Sequence, residues 1–272
     1  MERCLGVMAG AGVLPGCAAA EARRQGWRIV AFAFDDAPGL AEFADRVVSC
    51  RLTDIRSVLA EVAAQRIEAA LFVGKFWKQS ALSQVRGADD AGRRLADRGL
   101  SDAALAEMVV ATLGAMGVQV LDQRLFLGPL LFTADVLAGR IPSGEQWEEV
   151  RAGWRLARSL AAQGIGQTLV RSRGVTVAVE AAEGTDETIR RGTALAGPGA
   201  VVVKAVAPDH DYRFDIPTIG PATLEVMAAG GAAVLAVARG KVLLVERETA
   251  IRLAERASIA LVGIDEGQDD LA

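Results

Sequence analysis

The chain has 272 residues, 51% hydrophobic and 24% charged, with a formal net charge of −4. That length exceeds the usual single core of about 100–200 residues, so two domains are expected, and the composition is that of a globular chain rather than a disordered one. The mild acidity argues against a nucleic-acid partner, which needs a concentrated basic face, and the longest apolar stretch, 125–139, is broken by Pro129 and Asp135, so no membrane span is expected.

From the amino end, CLGVMA, RIVAFAF, RVVSCRL, AALFVG and VQVLD read as strands, and LPGCAAAEARRQG, IRSVLAEVAAQR and DAALAEMVVATLGAMG have helical spacing between them. Strand, helix and strand at this spacing mean a parallel sheet with crossover helices, so the first domain, over 1–132, is expected to be Rossmann-like. Cys4, Cys17 and Cys50 all fall here, with no CxxC pair, and read as reduced thiols. The opening MERCLGVMAG lacks the basic-then-apolar order of a signal peptide, and a cytoplasmic location is expected.

The pattern lapses in GPLLFTADVLAGRIPSG, so 133–143 is expected to be a linker. Ser143, with Glu145 and Gln146 following, suits the start of a helix over EQWEEVRAGWRLARSLAAQ. The domain over 144–272 is expected to be mixed α/β. It reads as a hairpin in TLVRSRGVTVAVEAA, a strand in AVVVKAV, a helix in ATLEVMAAGG, a hairpin-like pair in AAVLAVARGKVLLV, a helix in RETAIRLAERA and a last strand in IALVGID. The end EGQDDLA reads as a frayed tail.

Four features can carry chemistry. Gly10, Gly12 and Gly16 follow the first strand in a GxGxxxG spacing, which suits either an anion at a helix start or a merely tight turn, with Asp35 placed to meet a ribose hydroxyl. Lys75 and Lys78, two of four lysines in the chain, stand where the fourth strand should end. Ser101 or Asp102 suits a helix cap. The most informative residues are the run Glu180 to Asp186, with Glu180, Glu183, Gly184, Thr185 and Asp186, then Lys204, then HDYRFDIPTIGP from His210 to Pro221. If 211–215 is extended, alternation puts Asp211, Arg213 and Asp215 on one side, two carboxylates suited to Mg²⁺ flanking a guanidinium suited to phosphate. A surface ion-pair network is the structural alternative. His210, the single histidine, reads as a solvated loop residue.

These motifs, in this order, resemble the LpxI family. MAGAGVLP is similar to its AGGGxLP opening, VGK to its AGKV segment, and GIGQTLV to the VGQ-plus-strand that begins its second domain. VAVEAAEGTDETIRR and VVVKAVAPDHDYRFDIPTIGPATLE match its EAxEGTD, lysine strand and QDxRxDxPxIGxxT. Three departures stand out: Ala11 replaces a usual glycine, His210 a usual glutamine, and Ser101 the first residue of a common Asp-Asp pair. The resemblance implies two α/β domains with a ligand cleft between them. It also implies Mg²⁺-dependent hydrolysis of UDP-2,3-diacylglucosamine to UMP and 2,3-diacylglucosamine 1-phosphate (lipid X) in lipid A biosynthesis. The family's catalytic aspartate falls on Asp215.

On that reading Asp215, Asp211 and Arg213 are the expected catalytic residues, with Asp215 and Asp211 on the metal. Gly10, Gly12, Lys75, Glu183, Thr185, Asp186, Lys204, Thr218 and Gly220 are the expected substrate-binding set. Peripheral contact with the inner membrane and a homodimer are left open. The rivals are a nucleotide- or lipid-binding protein without catalysis and an NAD(P)-dependent oxidoreductase, the latter weakened by the glycine spacing.

Overall fold

In a computed structural model that describes residues 3–51, 54–76 and 102–265, the chain divides into two compact units. One is Met1–Pro129 with Asp211–Asp215, the other Leu130–His210 with Ile216–Ala272. Trp77, Lys78, the segment 98–101 and the tail 266–272 lie outside the described residues. Among the described residues no helix is long and apolar enough to cross a membrane.

The first unit holds β1 (Cys4–Ala9), β2 (Arg28–Ala33), β3 (Arg46–Ser49), β4 (Ala69–Val73) and β5 (Gln119–Val120) in a five-stranded sheet ordered β3-β2-β1-β4-β5. All neighbours are parallel, as crossover helices require. These helices are α1 (Leu14–Arg24), the short α2 (Leu40–Phe43), α3 (Ile55–Ala64) and α4 (Asp102–Ala115), with α5 (Arg124–Leu127) following β5. Local sequence sets their ends: Asp54 caps α3 by accepting from the Ser57 amide at 3.2 Å, and Gly26, at φ +81°, turns the chain out of α1. Met8, Val30, Phe32 and Ala70 of the sheet pack with Val62 of α3 and Leu113 of α4. Strand order reverses between β1 and β4, the place where open parallel sheets collect ligands.

The second unit carries β6 (Val136–Ala138), α6 (Gly144–Ala162), β7 (Thr168–Ser172), β8 (Val175–Val179), α7 (Thr185–Ala196), β9 (Val201–Lys204), β10 (Thr218–Ile219), α8 (Pro221–Ala229), β11 (Val234–Ala238), β12 (Leu243–Leu244), α9 (Arg247–Arg256) and β13 (Ala260–Ile264). Its six-stranded sheet runs β6-β13-β11-β9-β7-β8. β9, β11 and β13 are parallel, flanked by antiparallel β6 and by the β7–β8 hairpin. Arg173 and Gly174, both at positive φ, form the hairpin's two-residue turn. Ser143 starts α6 with a capping box, its hydroxyl accepting from the Gln146 amide while the Gln146 side chain accepts from the Ser143 amide.

Three expectations need correction. The stretch 133–143 is not a plain linker, because Val136–Ala138 pairs with β13 as an edge strand. AAVLAVARGKVLLV is not a hairpin: β11 is a central parallel strand, while β12 pairs with β10 in a separate two-stranded ladder. The aspartate motif, expected within the second domain, instead groups over Asp211–Asp215 with the first unit.

Candidate active site

The expected phosphate turn after β1 is closed by the protein itself. The Gly10 amide donates to the Val73 carbonyl at 2.9 Å, the Ala11 amide to Lys75 at 2.9 Å and the Gly12 amide to Asp36 at 3.0 Å. Lys75 returns a 2.9 Å bond from its own amide to the Ala11 carbonyl, so the ends of β1 and β4 are joined by a short antiparallel bridge. A Cβ on Gly10 would stand 2.6 Å from the Lys75 carbonyl oxygen, and one on Gly74 2.8 Å from that of Gly10. Gly10 and Gly74 are there because two backbones touch, and Gly12 because its φ is +101°. The amides of Gly10, Ala11 and Gly12 are consumed, so the cradle expected at Gly10 and Gly12 is not available as drawn from sequence. Asp35 accepts from the neighbouring Asp36 amide at 2.8 Å.

The segment 211–215 is a turn, not a strand. Consequently Asp211, Arg213 and Asp215 are not a row. Asp211 and Arg213 bind each other: Nε donates to Oδ1 at 2.9 Å and to Oδ2 at 3.2 Å, Nη2 to Oδ2 at 2.8 Å, and the Arg213 amide to Oδ1 at 3.0 Å. The largest influence on Arg213 is this hydrogen bonding, which raises its pKa. Both oxygens of Asp211 are thereby engaged, which opposes its expected role as a metal ligand. Among the described residues no group of three or more His, Cys, Asp or Glu side chains is arranged to hold a metal.

The turn is pinned to the first unit at its inner residues. Phe214 packs on Phe72 of β4, ring centroids 5.2 Å apart, a pairing that contributes about 0.5–1.5 kcal/mol beyond area burial. The Tyr212 carbonyl accepts from the Gln123 amide at 3.1 Å, and the guanidinium of Arg124 lies 3.8 Å from the Tyr212 ring centroid. Asp215 follows these anchors and is exposed. Its carboxylate therefore stands next to a residue held against the first sheet.

In the second unit, sequence-distant residues assemble around Lys204, the last residue of β9 and only 4% exposed. Its ammonium donates to Thr185 Oγ1 at 2.8 Å and to Thr168 Oγ1 at 3.3 Å. Thr185 in turn donates to Glu180 Oε1 at 3.0 Å, while Glu180 Oε2 accepts from the Gln167 amide at 3.3 Å. Among the described residues this buried cation meets hydroxyls directly and a carboxylate through Thr185, so two of its three donors are used by these neighbours.

The other expected binding residues of this unit divide. Glu183 closes the turn before α7, accepting from the Ala181 amide, Thr188 Oγ1 and Arg191 Nη2, the last at 2.6 Å. Its own backbone hydrogen bond, then Arg191, hold its carboxyl below the usual range. Asp186 accepts from Thr223 of α8 at 3.3 Å. Thr218 donates to the Ile216 carbonyl at 2.9 Å, and Gly220 precedes α8 where a Cβ would stand 2.6 Å from Val245 Cγ2. Glu183, Thr218 and Gly220 therefore shape the backbone, whereas Thr185 and Lys204 meet side chain to side chain.

Glu180 falls within the sequence reading of the site, whereas Thr168, Asp122 and Arg124 escape it. For the last two a signal exists: Asp122-Gln123-Arg124 repeats the Asp-X-Arg spacing of Asp211-Tyr212-Arg213.

An all-parallel Rossmann-like sheet and a mixed sheet bearing a buried lysine define a two-unit α/β protein. Residues 4–130 match the LpxI N-terminal domain and residues 133–262 the LpxI C-terminal domain. The chain belongs to the LpxI family. It is 30% identical over 172 residues to UDP-2,3-diacylglucosamine pyrophosphatase LpxI of Caulobacter vibrioides, a match that spans 60% of this chain and 61% of that relative. Among solved structures, N5-carboxyaminoimidazole synthetase from Staphylococcus aureus is 11% identical with a TM-score of 0.25, covering 65% of this chain and 40% of its own. Glycinamide-RNase-transformylase T from Mycobacterium tuberculosis is 16% identical with a TM-score of 0.24, covering 65% and 44%. Likeness at that level carries no argument.

Proposed function

We propose that this protein hydrolyses the pyrophosphate of UDP-2,3-diacylglucosamine to UMP and 2,3-diacylglucosamine 1-phosphate, a step of lipid A biosynthesis. The observation that carries this reading is the family match over both halves of the chain, together with a relative of that name.

Pyrophosphate cleavage is slow in water because anionic oxygens repel the nucleophile, so a catalyst must offset charge and orient water. Asp215 is the residue we assign to that orientation, supported by its exposed carboxylate on a turn fixed by Tyr212 and Phe214. Arg213, held flat by Asp211, offers its outer N–H donors to a phosphoryl oxygen. Lys204, two of whose ammonium donors go to Thr168 and Thr185, is the group of the second unit that we assign to substrate binding. Mg²⁺ keeps several waters and commonly binds through one or two carboxylates plus substrate phosphates. Asp215 fits that mode as the protein's contribution, and Asp211 fits better as the holder of Arg213. When bound, the ion supplies charge neutralisation at the diphosphate. We extend the proposal to a cytoplasmic protein that meets its acylated substrate in peripheral contact with the inner membrane.

The test is release of UMP from UDP-2,3-diacylglucosamine with Mg²⁺ present. Asp215→Ala is expected to lose turnover and keep substrate binding. Near-normal turnover in that variant removes Asp215 from the mechanism, and tight binding by the unmodified protein with no UMP release favours a binding protein instead.

A further inference from the structure

Asp122 and Arg124 stand at the carboxyl end of β5, outside every motif singled out from the sequence. Their geometry repeats that of Asp211 and Arg213. The Arg124 amide donates to Asp122 Oδ1 at 2.8 Å, Nε to Oδ1 at 3.1 Å and to Oδ2 at 3.0 Å, and Nη2 to Oδ2 at 2.6 Å. The two Asp-X-Arg forks meet through their middle residues. Gln123, 2% exposed, donates its amide to the Tyr212 carbonyl at 3.1 Å, and the Arg124 guanidinium lies 3.8 Å from the centroid of the Tyr212 ring. A guanidinium fixed at both ends by one carboxylate has little freedom left, so it can hold an aromatic ring in a set place.

We infer that Asp122 and Arg124 are a positioning pair that fixes the Asp211–Asp215 turn, and through it Asp215, on the β4–β5 edge of the first sheet. This rests on the reading of Asp215 as the catalytic carboxylate. Other uses of the pair are weaker. An exposed ion pair between residues two apart adds little stability by itself, and the Arg124 side chain, 41% exposed, is not part of a core. Burial pushes the Asp122 carboxyl up, but its hydrogen bonds with the Arg124 side chain and amide outweigh this, and it settles below the usual range even though Asp211 opposes that shift. Arg124 therefore keeps its partner ionised and its own plane fixed.

The experiment uses the full chain and pairs steady-state kinetics on UDP-2,3-diacylglucosamine with amide hydrogen exchange. For Arg124→Ala we expect kcat to fall about tenfold or more with KM within about twofold, the signature of a misplaced catalytic group rather than lost binding. Arg124→Lys, which keeps a cation over the ring, is expected to recover most of that loss. The Gln123 and Arg213 amides should exchange about tenfold faster in Arg124→Ala, with β1 and β2 unchanged. Asp122→Asn, which keeps the size of the side chain, gives the same readings should the alanine variant lose its fold. Unchanged exchange at Gln123 and Arg213 overturns the inference, as does normal kcat in Arg124→Ala alongside an inactive Asp215→Ala. An active Asp215→Ala would instead overturn the reading of Asp215, and the exchange data would then decide the positioning role alone.

Discussion

The ends of β1 and β9 both complete parallel strands, where phosphate binding is a natural expectation, yet they use their polar groups in opposite ways. After β1, the amides of Gly10, Ala11 and Gly12 bond to carbonyls of the protein itself. At the end of β9, Lys204 is buried with hydroxyl partners and only an indirect carboxylate. A glycine-rich turn reports that something must come close to the backbone, and here that something is the neighbouring strand. A buried cation held by neutral groups lacks a directly paired charge, and it is the group proposed above to meet substrate.

The largest expected effect on substrate binding tests the lysine. Lys204→Met removes the charge while keeping bulk, and since Thr185 still donates to Glu180 and Thr168 Oγ1 stands 3.4 Å from Thr185 Oγ1, both hydroxyls left behind remain partnered. Lys204 meets hydroxyls rather than a directly paired carboxylate, so its replacement relieves the desolvation of a buried ammonium, and the denaturation midpoint is expected to hold or rise. KM for the diphosphate substrate is expected to rise about 10- to 100-fold, the loss of one charge-assisted hydrogen bond. A collapse in stability with KM unchanged would make Lys204 a structural group and erase the contrast.

Next comes the glycine turn. In Gly74→Ala the new methyl meets the Gly10 carbonyl oxygen at 2.8 Å in a residue whose φ is +96°. We expect a destabilisation of about 2–3 kcal/mol in urea unfolding, from overpacking added to backbone strain. Gly12→Ala, at φ +101° but with nothing within 4 Å of the added atom, should cost about 1 kcal/mol. A raised KM with undiminished stability in either variant would return the turn at Gly10 and Gly12 to phosphate binding.

The smallest effect sharpens the account of β5. Asp122 has a folded-state pKa below its unfolded value of about 3.9, so its contribution is fully present above that value and is lost as pH falls through the folded one. Because its side chain is 32% exposed, the contribution should be no more than about 1 kcal/mol. The difference in unfolding free energy between the unmodified protein and Asp122→Asn should be measurable at pH 7 and shrink below about pH 4. A difference that does not change with pH would mean the carboxylate's charge is irrelevant to the fork.

Much of the architecture is legible because hydrophobic runs report burial directly. CLGVMA and RIVAFAF become central strands, and Ser143 with Gln146 starts a helix by a local bond whose partners are three residues apart. What escapes is set by distant pairing. VLAVA in β11 is apolar on both faces, the mark of a central parallel strand, but Arg239-Gly240 beside it imitates a hairpin turn. Likewise 211–215 alternates in charge as an edge strand would, while Phe214 is drawn into the core against Phe72 and the backbone turns. Lys204 and Thr185 could be singled out by residue type, but Thr168 gave no local sign, because only the sheet register brings it opposite Lys204.

The five residues Asp211–Asp215 belong to the first unit although they are encoded in the middle of the second, so the polypeptide passes between the two units three times rather than once. A gene fragment ending at codon 130 would therefore make an incomplete object, lacking the aromatic plug over Phe72 and the carbonyl that meets Gln123. The sequence-family border near that codon is thus not a seam along which the protein can be cut. Dissecting it into working parts would require transplanting the pentapeptide, not merely shortening the chain.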